Sequence, residues 1–238
     1  MNDELKDLDL SSLSFEQFVQ YFFARKVVPD KEQFDLFMIG LDGERFDENV
    51  PVSRSTVVKH MIVLFSNFGQ IATKYTIEQV DQGVWGILGA NLRLYELIFD
   101  SSVPLESRLA CIRSMYNVYA DFVSHLQSEL GPDLSGFFMW WDLILHGFWN
   151  SGQPHFPGTY RGDASKLDSE SRQILDVMFE TLQRMLLLPD RNSQKSALHG
   201  LGHLHHPDVH GEVQQFIDTH GEGFTLKWLE QCRDGVCQ

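Results

Sequence analysis

The stretch Ser193–Gly221, "SQKSALHGLGHLHHPDVHGEVQQFIDTHG", decides the fold that the sequence predicts. A first apolar stripe recurs at helical spacing, formed by Ala197, Leu198, Leu201 and Leu204. A second stripe follows a His-Pro-Asp turn, formed by Val209, Val213, Phe216 and Ile217. Two short amphipathic helices in this order form an antiparallel hairpin, which must bury its stripes against a stacked neighbour. Gly200 and Gly202 predict that this neighbour approaches closely.

The hairpin resembles a HEAT-like repeat. The Ala-Leu, Leu-Gly, Leu and Pro-Asp of "ALHGLGHLHHPDV" stand at the offsets usual for that family. The resemblance covers about 30 of 238 residues. It implies an α-solenoid-like stack of helices that presents a surface to another macromolecule and rarely carries chemistry. Ser107–Phe122 is a degenerate second copy at best, so the extent of such repeats beyond 193–220 stays open.

Helix-start signals recur along the rest of the chain. Capping boxes begin at Ser14, Asp30 and Thr76, and further helices are predicted to begin near Pro104, Asp168 and Ser193. The pattern predicts continuous helices over 54–75, from 76 toward 99, and over 105–130. No alternating β-branched run marks a strand. We therefore expect an all-α protein of about nine or ten helices, in an irregular stack or α-solenoid-like array.

This array is predicted to form a single domain over 1–238. A subdivision at the 150–165 loop would separate a helical bundle, 1–149, from HEAT-like helices, 166–238.

Charge and cysteine content narrow the classes of partner. The formal net charge of −14 repels nucleic acid and anionic membrane surfaces, and no dense Lys/Arg cluster offsets it. The longest apolar run is too short to span a bilayer.

Three widely spaced cysteines do not form a disulfide framework, although Cys232 and Cys237 could pair. The sequence thus predicts a cytoplasmic protein with reduced thiols.

The histidines of the hairpin are candidates for metal binding. His199 and His203 share a helix face, as do His206 and His210, and such pairs can chelate a stray ion. The apolar stripes place His199, His203 and His206 toward solvent, no HExxH motif occurs, and no cysteine lies inside the hairpin. The sequence therefore predicts adventitious binding only, with no required metal and no cofactor.

An aromatic helix near 133–149 is predicted to be central and buried, because it is apolar on every side. It contains Asp142 and His146, four residues apart, which predict a structural hydrogen bond or an oriented base. The long loop after it offers four side chains for contact with a partner. The candidate binding residues are Trp140, Trp141, Asp142, His146, His155, Phe156, Tyr160 and Arg161.

The expected function is a non-enzymatic protein-interaction module that binds another protein. The alternative is a small-molecule-binding or enzymatic helical bundle with a pocket near 137–149. The sequence leaves the partner, the pathway and the oligomeric state open.

Overall fold

The computed structural model describes residues 10–29, 53–89, 92, 94–126, 134–150 and 163–237. Over these ranges the fold is all-α, with ten α-helices and no strand, which confirms the predicted class. The helices are α1 (Phe15–Phe23), α2 (Arg54–Ser66), α3 (Phe68–Ala72), α4 (Ile77–Leu88), α5 (Leu105–Asp121), α6 (Ser135–Asn150), α7 (Ser169–Leu186), α8 (Arg191–Leu204), α9 (Val209–His220) and α10 (Leu226–Arg233). The helix predicted at 31–39 lies outside the described residues.

Most helices begin where the local sequence predicts. Ser14 and Thr76 each form a complete capping box, and the Asp168 carboxylate accepts a hydrogen bond from the Ser171 N–H at 2.8 Å. The prediction for Ser193 is wrong. Asp190 caps α8 instead, by accepting from the Ser193 N–H at 2.8 Å, because its carboxylate reaches the free amides of the first turn.

Three predicted helices are shorter than their apolar patterns. The 54–75 segment divides at Asn67 into α2 and α3, and Gly69 of α3 lies directly against the backbone of Asp121. The helix from Thr76 ends at Leu88, and 94–98 is a short 3-10 helix. The long helix ends at Asp121, before another short 3-10 helix at 123–125. Packing between neighbouring helices therefore interrupts patterns that look continuous in the sequence.

Helix α6 lies at the centre of the fold, as its composition predicts. Its Phe137, Trp140 and Trp141 are fully buried. It packs against α4 on one side and α8 on another. Gly200 of α8 makes this approach possible, since a Cβ atom there would lie 2.7 Å from the Cβ of Trp141. The predicted close neighbour of the hairpin is thus the aromatic helix.

Candidate functional site

Two histidines of one helix and Cys237 meet in the C-terminal part of the described fold, and Cys232 lies next to them against the same helix. His199 and His203 lie on α8, while Cys232 lies in α10 and Cys237 follows it. One ligand atom from each of His199, His203 and Cys237 lies within 4.8 Å of the other two. The Nε2 atoms of the histidines are 3.2 Å apart. We call His199, His203, Cys232 and Cys237 the His–Cys cluster.

The local sequence positions the two histidines and the two cysteines separately. Residues four apart share a helix face, so the imidazoles of His199 and His203 stand side by side, with ring centroids 4.7 Å apart. Between them, Gly202 leaves room for the other half. A Cβ atom on Gly202 would overlap the Cys237 sulfur and lie 3.1 Å from the Cα of Cys232. The end of α10 therefore rests directly on the backbone of α8.

A Schellman motif returns Cys237 toward the helix that it follows. Gly235 adopts the left-handed conformation, with φ +70°, and its N–H donates to the Cys232 carbonyl at 3.3 Å. The Val236 N–H donates to the Gln231 carbonyl at 2.9 Å. This turn reverses the chain, and the Cys237 thiol packs 3.7 Å from the carbonyl oxygen of His199. The cysteine at the end of the chain is thereby brought to α8.

The two histidines differ in burial and in the direction in which their pKa values are shifted. His199 is 2% exposed and stacks on Phe138 at 4.3 Å between centroids, and burial lowers its pKa. Its Nδ1 makes no hydrogen bond of normal geometry within the described structure, although the backbone of Phe138 interacts with the ring. The His203 side chain is 30% exposed, and its hydrogen bond with Cys237 raises its pKa. An imidazole with a lowered pKa and one with a raised pKa thus lie together.

The prediction that His199, His203 and His206 point to solvent is wrong. His199 is buried, His203 is half-buried, and His206 stacks on Phe179 with centroids 4.2 Å apart and donates toward Asp176. The stripe accounts for only one contact face of α8. In the fold α8 packs against α6, α7 and α10, so residues off the stripe are covered as well.

The surroundings of Cys237 lower its pKa. Hydrogen bonding with Cys232 and with His203 holds the pKa of Cys237 well below its usual range despite burial. The same contact raises the pKa of Cys232, and burial raises it further. A thiolate beside two imidazoles is a ligand set for a borderline or soft metal ion, and the thiolate is also a nucleophile.

Helix α6 contributes a carboxylate to the edge of the cluster. Asp142 Oδ1 lies 3.6 Å from His203 Nε2, and both side chains are 30% exposed.

The other predicted binding residues lie away from the cluster or outside the described residues. His146 lies on the exposed side of α6. Trp140 and Trp141 are enclosed by the core and line no opening to solvent. His155, Phe156, Tyr160 and Arg161 lie outside the described residues.

A pair of histidines and a pair of cysteines in the sequence together indicated the cluster, but only the histidines lie in the hairpin. No cysteine lies inside the hairpin, but an H-x3-H pair and a C-x4-C pair occur in the same C-terminal region. Such paired spacings are typical of zinc sites. Cys232 and Cys237 are the functional candidates that sequence reasoning left out.

Comparisons with known proteins give no relative for this chain. No family model, curated protein or solved structure matches it. Among the helices that the structure describes, none has both the length and the apolar character needed to cross a lipid bilayer.

Proposed function

We propose that this chain is a metal-binding protein in which His199, His203 and Cys237 hold a transition-metal ion, with zinc the best match. The observation that carries the proposal is the convergence of these three ligand atoms within 4.8 Å of one another, two from α8 and one from the segment after α10. Imidazole nitrogen and thiolate sulfur are the ligands that zinc prefers in proteins. This proposal replaces the sequence-based prediction of adventitious binding only.

The distance between the two histidine Nε2 atoms fits coordination of one zinc ion. In a tetrahedral site with Zn–N bonds of about 2.0–2.1 Å, two nitrogen ligands lie about 3.3 Å apart. The Nε2 atoms of His199 and His203 are 3.2 Å apart. A hydrogen bond between two neutral imidazoles would produce the same spacing, so the sulfur is the distinguishing feature.

Cys232 is the proposed fourth ligand. It is fully buried and its Cα lies against Gly202 beside the Cys237 sulfur, so a rotation of its side chain toward the other three ligands would complete a Cys2His2 set of the kind that closes structural zinc sites. Asp142 then interacts with His203 from outside the coordination sphere. A closed site leaves no position for substrate, so the ion has a structural role.

The structural role concerns α10. Of its eight residues only Leu229 and Cys232 are buried, so its apolar contacts with the rest of the fold are few. An ion shared between α8 and the end of α10 would fasten the last helix where hydrophobic burial contributes little. We therefore expect metal loading to stabilise the C-terminal region more than the core around α6.

The test is metal binding by protein purified without a metal-affinity step. We expect one equivalent of zinc by elemental analysis, and cobalt(II) substitution should show tetrahedral d–d bands with thiolate charge transfer. His203→Ala and Cys237→Ser should abolish stoichiometric binding, and Cys232→Ser should halve the charge-transfer intensity. His210→Ala and Cys111→Ser are matched controls, since His210 is exposed on α9 and Cys111 is buried in α5. Wild-type binding no tighter than that of His203→Ala would refute the proposal.

The interaction function expected from the sequence is a second proposal. Two leucine side chains near the C-terminal helices face solvent: Leu187 is 81% exposed and Leu226 is 57% exposed. A protein partner would cover them. Cross-linking in the source cell should recover a partner that the double variant Leu187→Asp/Leu226→Asp loses. Val63→Asp, on the exposed face of the distant α2, should keep that partner. Equal recovery by both variants would contradict this second proposal.

A further inference from the structure

The two thiols of the His–Cys cluster are neighbours as well as ligands. The Cys237 sulfur and the Cα of Cys232 both lie against Gly202, and the Schellman turn at Gly235 returns Cys237 toward the end of α10. Both cysteines are free thiols. Such a pair has two uses for its sulfur atoms: both can bind one metal ion, or they can bind each other.

We propose that a peroxide-class oxidant converts Cys232 and Cys237 into a disulfide, which removes both sulfur ligands and releases the ion. This inference rests on the proposed metal-binding function. Metal-bound and disulfide forms exclude each other, because a disulfide sulfur no longer carries the thiolate charge that binds zinc. Oxidation of the cluster would then cause loss of the metal ion and of the link that it makes between α8 and α10.

The chemistry balances with hydrogen peroxide as the named oxidant. The Cys237 sulfur attacks one peroxide oxygen, the O–O bond breaks, and the other oxygen leaves as water after taking a proton. The Cys232 sulfur attacks the resulting S–OH group, the S–S bond forms, and the hydroxide leaves as a second water after taking a proton. Solvent supplies the proton for each water, because zinc-bound thiolates carry none. The two sulfurs together lose two electrons, the peroxide gains them, and zinc departs as the unchanged divalent ion.

The position of this pair, and not its burial, distinguishes it from the remaining cysteine, since all three cysteines are buried. The cluster borders solvent through His203 and Asp142, whose side chains are each 30% exposed. Cys111 is fully buried inside α5, and no other cysteine of the described residues lies on that helix. A disulfide also needs its two Cα atoms within about 7 Å, which a chain reversal at Gly235 favours.

The experiment treats zinc-loaded protein with hydrogen peroxide in the presence of a chromogenic zinc chelator. We expect release of one zinc per chain, loss of two titratable thiols, and a peptide map that joins Cys232 to Cys237. A thiol reductant with added zinc should restore the starting state. Cys111→Ser is the matched control and should respond like wild type, whereas Cys232→Ser retains three ligands, cannot form the disulfide and should release zinc far more slowly.

The outcomes separate the two proposals. If the protein binds zinc but peroxide leaves the ion in place and the thiols reduced, the redox inference is refuted and the metal-binding function stands. Zinc release from Cys232→Ser at the wild-type rate would also refute it, because the disulfide would then play no part. If the untreated protein never binds zinc, the metal-binding function fails and the redox inference fails with it.

Discussion

Replacing Gly202 with alanine tests whether the end of α10 rests on α8. The added Cβ atom would overlap the Cys237 sulfur and lie 3.1 Å from the Cα and 3.3 Å from the carbonyl oxygen of Cys232. Two of these three atoms belong to the backbone, which cannot swing aside as a flexible side chain can. The variant must therefore displace α10 or distort α8.

Gly211 provides the matched control for the magnitude. It lies near the start of α9, and a Cβ atom there would meet nothing within 4 Å. At both positions alanine favours the helix by about 0.5–1 kcal/mol over glycine. This gain largely cancels between the two variants, so the remaining difference measures the steric cost, about 1–3 kcal/mol for overpacking. Gly211→Ala should thus be more stable than wild type, and Gly202→Ala less stable than Gly211→Ala by that difference.

The assay is urea unfolding followed by circular dichroism, with a chelator present so that no ion contributes to stability. Thermal melts should agree, since 1 kcal/mol corresponds to about 2–4 °C for a domain of this size. If Gly202→Ala gains as much stability as Gly211→Ala, then α10 does not pack on the backbone of α8. The His–Cys cluster would lose its structural basis, and the proposals built on it would fall.

Three further predictions concern the rest of the fold. Asp190→Ala should lower the free energy of unfolding by about 1 kcal/mol, whereas Ser193→Ala should be neutral, because that hydroxyl is buried without a partner in the described structure; equal losses in urea melts would contradict the assigned cap. The buried Tyr119 hydroxyl donates to the Phe137 carbonyl at 2.8 Å, so Tyr119→Phe should cost about 1 kcal/mol in the same assay, and a neutral result would argue against that bond. Burial raises the pKa of Tyr21 to about 12, with Arg25 opposing it, from about 10 in an unfolded chain. The folded state favours the protonated phenol, so stability should be complete below about pH 10 and fall between pH 10 and 12, and Tyr21→Phe should weaken that fall.

Features that depend on nearby residues were predictable from the sequence. The capping boxes at Ser14 and Thr76 join residues three apart, so the sequence itself contains both partners of each hydrogen bond. The aromatic helix was correctly placed in the core, because a helix apolar on every side has no face to give to solvent. The all-α class follows from many such signals, each of them local.

Features that depend on which helices meet were decided by tertiary structure. The apolar pattern of 54–75 continues through Asn67, and only the close contact of Gly69 with Asp121 accompanies the division into α2 and α3. The burial of His199 likewise follows from the packing of α8 against several neighbours, which one stripe of leucines does not reveal.

The candidate site is the clearest case of this division. The sequence by itself determined that His199 and His203 share a helix face, since their spacing matches the helical turn. It could not determine that Cys232 and Cys237 complete the cluster, because the two halves belong to helices separated by all of α9. Their meeting depends on Gly202, which admits the backbone of α10, and on the left-handed turn at Gly235, which returns Cys237 to α8. Contacts between distant segments arise only when the whole chain has packed, and that packing created the site.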